Sequence, residues 1–254
     1  MSSSGATDCV CLVIPCYNEA SRLNIQDFRT FLASGSASRL LFVDDGSRDA
    51  THTVLEQLCQ GYEHRTETLC RAQNRGKAEA VRHGILHALD HYRAPLVGFW
   101  DADLATPLGT VAGFQRVLAE RPGLEMVFGS RVKLLGRHVE RRAVRHYLGR
   151  IFATAVSVML QLPIYDTQCG AKLFRATPEL RDVFSQPFIS KWVFDVEILA
   201  RYLQLYNGNT KRLEEAIYEY PLEAWIDVAG SKVRGKDFFT ALIDIARIKL
   251  RYLR

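Results

Sequence analysis

Residues 95–103 read PLVGFWDAD, a short apolar run that ends in two aspartates. A run of this length, closed by polar residues, is typical of a strand buried inside a parallel sheet. Similar short apolar runs occur at residues 9–14 and 40–43, and residues 66–70 are a further strand candidate. Stretches with helical spacing of apolar residues alternate with them, at residues 20–33, 49–58 and 77–91. This alternation predicts an α/β fold, with a mostly parallel central sheet and helices on both faces.

The second half of the chain is less regular. The elements expected there are helices at 109–120, 195–206 and 237–254, strands at 125–129 and 216–221, a strand or hairpin at 166–174, and an apolar stretch at 151–162. We expect the helices near the C-terminus to be amphipathic. Because the sequence contains no internal repeat and no low-complexity linker, we predict one domain over residues 9–254, preceded by a disordered polar tail at residues 1–8.

The composition is that of a soluble globular protein: of 254 residues, 48% are hydrophobic and 24% are charged. These values exclude a disordered chain, and the length excludes a disulfide-stapled miniprotein. The six cysteines form no C-x-x-C pair, so we expect reduced thiols in a cytoplasmic protein rather than a structural zinc site. No secretory signal is recognisable, and no apolar run is long enough to predict a membrane-spanning helix.

Positive charge is concentrated in one segment. The net charge is +5, and residues 131–150 hold seven Lys or Arg against one Glu. The rest of the chain has 26 basic and 27 acidic residues, so the whole excess is local. A solvated helix face and a nucleic-acid partner are alternatives, but no aromatic interleaving or nucleic-acid-binding motif accompanies the segment, and we expect no nucleic acid. A diphosphate or an anionic lipid head group fits it better.

The pair Asp101 and Asp103 is the strongest candidate for chemistry. Two carboxylates at positions i and i+2 of extended backbone lie on one face and can share a hard cation. Such a cation completes its coordination with water and substrate phosphates. Solvated loop acids are more common than metal sites, but this pair directly follows a predicted buried strand. We therefore predict a Mg²⁺ or Mn²⁺ site at the edge of the sheet where the strands end.

Polar residues also follow the first two predicted strands. Residues 15–19 read PCYNE and offer an aromatic ring and a carboxylate. Residues 44–47 read DDGS, where a carboxylate can accept hydrogen bonds from a base and a ribose. Ordinary turn chemistry is the alternative for both stretches. Lys77 begins a predicted helix and is either close to a phosphate or solvated. The chain has no P-loop and no dinucleotide-binding glycine motif.

Taken in order, these motifs resemble those of the family 2 inverting glycosyltransferases, which have a nucleotide-sugar-binding, GT-A-like fold. The motifs are VIPCYNE at residues 13–19, VDDGS at 43–47, DADL at 101–104 and GSR at 129–131. Two later motifs are similar to the branch of dolichyl-phosphate β-glucosyltransferases and polyprenyl-phosphate glycosyltransferases: DTQCGAKLF at 166–174 and WVFDVE at 192–197. The resemblance extends from about residue 9 to residue 254.

The resemblance and the motifs together imply roles for individual residues. The residues expected to contact the nucleotide-sugar donor are Pro15, Tyr17, Glu19, Val43 (through its backbone), Asp45, Lys77, Asp101, Gln168 and Lys232. Asp101 and Asp103 would hold the metal that bridges the donor diphosphate. For Gln168, hydrogen bonding to sugar hydroxyls and a simple turn role are both open.

The reaction that this resemblance implies is metal-dependent transfer of a hexose, glucose from UDP-glucose, to a polyprenyl (dolichyl-type) phosphate. The residues expected to receive the acceptor phosphate are Arg131, Arg141, Arg142 and Arg145. Such an acceptor is already anionic near neutral pH, since its second phosphate pKa is about 6, and it needs orientation rather than deprotonation. The residues expected to take part in catalysis are Asp103, Arg131 and Asp195, the last by orienting the sugar or a basic neighbour.

Two alternatives remain open. The same donor chemistry could act on a soluble hydroxyl acceptor, with Asp195 as the base, or the chain could be an inactive nucleotide-sugar-binding scaffold. Eukaryotic glucosyl enzymes of this branch begin with a transmembrane helix that this sequence does not show. We therefore expect peripheral attachment to the cytoplasmic face of a membrane, through residues 133–162 and 237–254. Residues 9–131 would bind the donor, and residues 132–254 would bind the acceptor and carry the membrane-surface helices.

Overall fold

The computed structural model describes residues 9–35, 37–132, 135–136, 138–140, 143–226 and 235–253. The tail predicted at residues 1–8 lies outside the described residues. The strands are β1 (Val10–Cys16), β2 (Arg39–Asp44), β3 (Thr66–Cys70), β4 (Leu96–Trp100), β5 (Met126–Ser130), β6 (His138–Glu140), β7 (Ala171–Arg175), β8 (Ile217–Pro221) and β9 (Ala224–Ile226). The helices are α1 (Ile25–Ala33), α2 (Thr51–Cys59), α3 (Lys77–His91), α4 (Val111–Glu120), α5 (Ala143–Leu160), α6 (Pro178–Ser185), α7 (Phe194–Leu205), α8 (Thr210–Ala216) and α9 (Gly235–Tyr252).

Seven of the described strands form one sheet in the order β3-β2-β1-β4-β7-β5-β8, and β6 pairs with β9 separately. Neighbours in the large sheet are parallel except at β7, which runs antiparallel to both β4 and β5. The predicted mostly parallel sheet is confirmed, with one reversed strand. Because β7 is reversed, the residues that precede it lie at the edge where β4 and β5 end.

Helices cover both faces of the sheet, as predicted. Side chains alternate along each strand, so Val13 joins the core on one face while Leu12 and Ile14 join the core on the other. Residues of α3, α5, α6, α7, α8 and α9 complete the first core, and residues of α1, α2 and α4 complete the second. None of the described helices combines the length and the apolar character that a bilayer crossing requires.

The first strand extends two residues beyond the prediction and includes Pro15. β1 pairs with β4 only as far as Val13, whereas it continues beside β2 to Cys16. Pro15 therefore has a strand neighbour on one side, opposite Val43. A proline has no N–H to donate, and it is tolerated in a strand where one side needs no ladder hydrogen bond. This arrangement places Pro15 and Val43 side by side at the carboxyl edge.

The first helix begins five residues later than the spacing predicts. The N–H groups of Arg22 and Leu23 both donate to the carbonyl oxygen of Glu19, at 2.9 Å each, and form a tight turn. Asn24 then caps α1, because its side chain accepts a hydrogen bond from the Asp27 N–H. The turn keeps Glu19 at the edge of the sheet instead of carrying it away on a helix.

Other elements follow the prediction with informative differences. The helix predicted at residues 77–91 has the bounds of α3, whereas the strand or hairpin at 166–174 is a turn followed by β7. The helices α6 and α8 and the β6–β9 pair were not predicted. The start of α6 is readable in the sequence, since Thr177 accepts a hydrogen bond from the Leu180 N–H and Pro178 stands in the first turn.

The close approach of β4 and β7 predicts the effect of one substitution. A Cβ atom on Gly98 would lie 2.2 Å from the carbonyl oxygen of Lys172, which is backbone and cannot rotate away. We expect Gly98→Ala to lower the free energy of unfolding by about 1–3 kcal/mol, the usual range for overpacking. Urea denaturation measures this change. Gly123→Ala is the control, because no atom lies within 4 Å of its added Cβ. Equal losses in the two variants would contradict this account of the strand contact.

Candidate active site

Asp101 follows β4 directly and is held against the turn that precedes β7. Its N–H donates to the carbonyl oxygen of Gly170 at 3.0 Å. A Cβ atom on Gly170 would lie 1.9 Å from Oδ2 of Asp101, so only glycine leaves room for this carboxylate. The motif at residues 166–174 contained Gly170, but sequence reasoning gave it no role. The signal was present, since a glycine beside a predicted strand often marks a close approach.

Asp103 completes the carboxylate pair. Its Oδ1 accepts a hydrogen bond from the Ala105 N–H at 3.1 Å, and its Oδ2 lies 3.4 Å from the guanidinium of Arg22. Leu104 has φ of 52°, a left-handed conformation that is costly for a branched side chain and that closes the turn between the two carboxylates and α4. Burial raises the pKa of Asp103, and the neighbouring Asp101 charge adds to the rise.

Lys77, the first residue of α3, contacts this pair. Its Nζ lies 2.5 Å from Oδ1 of Asp101, while its side chain remains 37% exposed, so the ammonium group is beside the carboxylate pair and also reaches solvent. Burial alone would lower the pKa of Lys77, but the Asp101 and Asp195 carboxylates outweigh it and the net pKa is raised. The ammonium group is therefore charged at neutral pH, between two acidic side chains.

These residues fit a divalent cation with a diphosphate. Two carboxylates from one turn supply the oxygen ligands that Mg²⁺ and Mn²⁺ prefer. Gly170 gives one of them the space to sit at the strand end, and Lys77 adds a positive charge that a phosphate requires. Asp101 and Asp103 are accordingly the residues that would hold the metal.

Asp195, at the start of α7, is buried, and its charge acts on Lys77. Its Oδ1 is 2.5 Å from Nζ of Lys172, a lysine whose side chain is 0% exposed. The same ammonium donates to the carbonyl oxygen of Cys169 at 2.5 Å and lies about 5 Å from the rings of Phe99 and Phe128. A buried charge is tolerated only when it is paired in this way. Lys172 was not among the predicted site residues.

Arg131, at the end of β5, is also held by the segment before β7. Its Nε and one terminal nitrogen donate to the two carboxylate oxygens of Asp166, at 2.6 and 2.8 Å, and its backbone N–H donates to the same group at 3.1 Å. The guanidinium lies 5.3 Å from the centre of the Trp225 ring. Burial opposes the charge, but the Asp166 carboxylate outweighs it, so the pKa of Arg131 is raised. The fork toward Asp166 fixes the orientation of this arginine.

Gln168 belongs to the same turn. Its N–H donates to Oδ1 of Asp166 at 3.1 Å, as in the turn role considered from the sequence. Its side-chain amide nitrogen is buried and has no hydrogen-bond partner among the described residues. A buried unpaired donor is costly, and a ligand hydroxyl would satisfy it. The structure thus accommodates both roles predicted for Gln168.

The residues predicted to hold a nucleotide meet at the ends of β1 and β2. The Asp45 N–H donates to the Cys16 carbonyl oxygen at 2.9 Å. The Asp45 carboxylate is buried and accepts hydrogen bonds from the N–H groups of Arg75 and Gly76, at 3.0 and 2.7 Å. Burial raises the pKa of Asp45, against the lowering effect of these donors. Asp45 therefore shapes the loop that delivers Lys77.

Ion pairs join the end of β1 to the Asp101–Asp103 turn. Arg22 lies 3.3 Å from Oε2 of Glu19 and 3.4 Å from Oδ2 of Asp103. Pro15, Tyr17 and Glu19 consequently belong to the same edge as the carboxylate pair. The other predicted positions are not described: Arg141, Arg142 and Lys232 lie outside the described residues, and the same holds for the side chain of Arg145 in α5.

Comparison with known proteins agrees with this geometry. The family model "Glycosyl transferase family 2" matches residues 11–179. Dolichyl-phosphate beta-glucosyltransferases from Saccharomyces cerevisiae and Dictyostelium discoideum are 32% and 33% identical to the chain, each over 95% of the chain and 74% of the relative. A glucosyl-3-phosphoglycerate synthase from Mycobacterium tuberculosis, solved with Mn²⁺, UDP and glucosyl-3-phosphoglycerate, has a TM-score of 0.64 at 18% identity. The match covers 96% of this chain and 80% of that one.

The reversed strand in a parallel sheet, with a carboxylate pair at its carboxyl edge, is the architecture of a GT-A glycosyltransferase. The chain belongs to glycosyl transferase family 2. The resemblance drawn from the motifs, the fold class and the prediction of a glycosyltransferase are thereby confirmed.

The contact between Gly170 and Asp101 gives a direct test of metal binding by the Asp101–Asp103 turn. We expect Gly170→Ala to displace the Asp101 carboxylate without changing any charge, and to weaken Mn²⁺ binding at least about tenfold. Electron paramagnetic resonance of free Mn²⁺ measures this affinity without any substrate. Gly109→Ala is the matched control, because its added Cβ meets no atom within 4 Å. Unchanged Mn²⁺ affinity in Gly170→Ala would show that Asp101 does not depend on this glycine.

Proposed function

We propose that this glycosyltransferase moves glucose from UDP-glucose to a polyprenyl, dolichyl-type phosphate, with a divalent metal, at the cytoplasmic face of a membrane. The observation that carries the proposal is the contact of Lys77 with the Asp101–Asp103 turn at the carboxyl edge of the sheet. The substrate assignment is supported by relatives at 30–33% identity, from yeast, Dictyostelium, mouse and human, that are named dolichyl-phosphate beta-glucosyltransferases.

The donor diphosphate would lie beside the Asp101–Asp103 turn. Asp101 and Asp103 would hold Mg²⁺ or Mn²⁺, and structures of the mycobacterial synthase contain UDP with either ion. When bound, such an ion stabilises the negative charge that grows on a leaving diphosphate. Lys77 would neutralise part of the same charge, because its ammonium already lies at Asp101. Lys232 would add a further contact to the donor phosphates.

The nucleotide and sugar would occupy the remainder of this edge. Pro15, Tyr17, Glu19, the backbone of Val43 and Asp45 surround the ends of β1 and β2 and would hold the nucleotide. The buried amide of Gln168 would donate to a sugar hydroxyl, which supplies the partner that this nitrogen lacks among the described residues. In this proposal residues 9–131 form the donor-binding half of the domain.

The acceptor phosphate would be received by Arg131 and by the basic residues that follow it. The carboxylate of Asp166 holds two nitrogens of the Arg131 guanidinium, which orients the group before substrate arrives. The binding site for the anionic acceptor phosphate would be completed by Arg141, Arg142 and Arg145. Because the acceptor is already ionised, Asp195 would have no proton to remove; its ion pair with Lys172 and its effect on the pKa of Lys77 suit a residue that orients a basic neighbour.

Residues 132–254 would form the acceptor-binding half and contact the membrane surface. Exposed apolar side chains occur on α5, at Ile151 and Val158, and on α9, at Leu242, Ile243 and Leu250. On α9 they are interleaved with the exposed basic residues Arg247, Lys249 and Arg251. Apolar side chains together with basic ones are the two signals that hold a peripheral protein at an anionic bilayer.

A soluble hydroxyl acceptor is the second candidate. The observation that favours it is the position of Asp195, a carboxylate close enough to Lys77 to affect its pKa and thus near the transfer site. With a hydroxyl acceptor this group would act as the base. The pairing of Asp195 with Lys172 weakens that role, because one of its carboxylate oxygens already contacts a buried ammonium group.

One assay distinguishes these functions. The purified chain is incubated with a panel of labelled nucleotide sugars, Mg²⁺ or Mn²⁺, and either a short polyprenyl phosphate or 3-phosphoglycerate. We expect lipid-linked glucose from UDP-glucose alone, and loss of transfer when EDTA removes the metal. Asp103→Asn should lower turnover at least about 100-fold because the metal loses a charged ligand.

Asp90→Asn is the matched control. Asp90 is exposed near the C-terminal end of α3, far from Lys77 at its start, and it pairs with Arg181 of α6. Circular dichroism verifies the fold of both variants. Transfer to the soluble acceptor alone, or full activity of Asp103→Asn, would refute the proposal.

Membrane contact through α9 is tested separately. The double variant Ile243→Asp with Leu250→Asp replaces two exposed apolar side chains by charges. We expect its partition onto mixed phosphatidylcholine and phosphatidylserine vesicles, measured by sedimentation, to fall at least about tenfold, since each buried side chain contributes about 1.5–3 kcal/mol. Leu205→Asp is the control, an equally apolar exposed position on α7. Equal partition of the wild-type chain and the double variant would place the membrane contact elsewhere.

A further inference from the structure

A second group of metal-ligating side chains lies outside the site described above. Asp44 ends β2, Cys70 ends β3 directly opposite it, and His52 stands in the first turn of α2. One ligand atom from each residue falls within 4.8 Å of the other two. It is the one group of three or more His, Cys, Asp or Glu side chains of this kind in the described part of the chain.

The distances suit a tetrahedral ion. Sγ of Cys70 lies 3.3 Å from Nδ1 of His52. Zinc binds sulfur at about 2.3 Å and nitrogen at about 2.0 Å, which places two such ligands about 3.5 Å apart in tetrahedral geometry. The Asp44 carboxylate supplies a third ligand, and water from the exposed side supplies the fourth.

The groups around these ligands are those of a metal site. His52 directs Nδ1 toward Cys70 and places Nε2 at 3.3 Å from Oε1 of Glu56. A metal-ligating histidine typically donates its other ring N–H to a carboxylate, which fixes the tautomer. Asp44 is oriented in the same way, because its Oδ1 accepts a hydrogen bond from the Ser47 N–H at 2.9 Å. The side chain of His52 is half exposed, so an ion has access from solvent.

We propose that Asp44, His52 and Cys70 form a binding site for a borderline-soft divalent cation such as Zn²⁺, separate from the Asp101–Asp103 turn. A thiolate and an imidazole select Zn²⁺ over Mg²⁺, which prefers oxygen ligands. Burial raises the pKa of the Cys70 thiol, with the Asp44 and Glu56 charges adding to the rise. The thiol is therefore protonated at neutral pH, and binding of the cation releases a proton.

The site is connected to the predicted nucleotide loop. Ser47, whose N–H is held by Asp44, accepts through Oγ a hydrogen bond from the Asn18 N–H at 3.0 Å. Asn18 in turn accepts from the Arg48 N–H at 2.8 Å, and its φ of 51° is left-handed. An ion bound by the Asp44 carboxylate withdraws negative charge from the oxygen that accepts from Ser47, and so weakens this link between Tyr17 and Glu19. Zn²⁺ at this site consequently inhibits the transfer reaction, a consequence that rests on the proposed function.

Cobalt is the probe for the site itself. A Co²⁺ ion bound to a thiolate shows a charge-transfer absorption band in the near ultraviolet, and titration of the full chain should give this band with one equivalent of Co²⁺ and lose it on addition of Zn²⁺. Cys70→Ser should abolish the band, and His52→Gln should weaken Co²⁺ binding at least about tenfold. Cys59→Ser is the matched control, a half-buried thiol on α2 outside the group. Asp101→Asn should also retain the band, since its carboxylate belongs to the other site.

The absence of a band in the wild-type chain, or its persistence in Cys70→Ser, overturns the proposal. Cys70→Ala, compared by circular dichroism, separates loss of the ligand from loss of the fold. In the transfer assay with saturating Mg²⁺, the Zn²⁺ concentration for half-inhibition should rise at least about tenfold in Cys70→Ser. Equal inhibition of both proteins overturns the connection to the nucleotide loop. The cobalt measurement needs no substrate, so an incorrect donor or acceptor assignment leaves its outcome readable.

Discussion

The reversed direction of β7 is the constraint on which the active edge depends. β4 and β5 are not adjacent: β7 lies between them and pairs with both. Because it runs the other way, its first residue lies beside the last residue of β4, with Ala171 opposite Trp100. The segment before β7 is thereby brought to the place where Asp101 and Arg131 emerge. Gly170 makes room for the first, and Asp166 binds the second.

A series of charged side chains extends from this strand into the site. Lys172 of β7 pairs with Asp195, Lys77 lies between Asp195 and Asp101, and Asp101 is followed by Asp103. A wholly buried lysine would cost several kcal/mol if it were unpaired, and the Asp195 carboxylate at 2.5 Å is the partner of Lys172. Asp195 also contributes, with Asp101, to the raised pKa of Lys77. The ammonium group of Lys77 therefore lies beside the carboxylate pair as a consequence of how β7 packs. This positive charge is in place before any substrate binds.

The sequence predicted the parts of this arrangement that are local. Apolar runs and helical spacing predicted the parallel strands and the bounds of α3, and the position of Asp101 and Asp103 after a buried run predicted the carboxylate pair. The pairing partners of β7 could not be predicted, because a strand of five residues carries no information about which neighbours it joins. The burial of Lys172 was missed for a related reason: a lysine near the start of a strand is usually solvated, and only the pairing of β7 with both β4 and β5 places it between Phe99 and Phe128.

Ligand hardness separates the two cation sites proposed at the strand ends. The end of β4 offers two carboxylates from one turn, a pattern that sequence spacing reveals and that suits Mg²⁺ or Mn²⁺. The ends of β2 and β3 offer a carboxylate and a thiol on neighbouring strands, to which α2 adds an imidazole. The second set has no recognisable sequence motif, because its members are 8 and 18 residues apart. They meet only through the strand register that pairs Asp44 with Cys70. A parallel sheet collects its strand ends at one edge, so a single fold can present hard and soft ligand sets near each other and still keep their ions distinct.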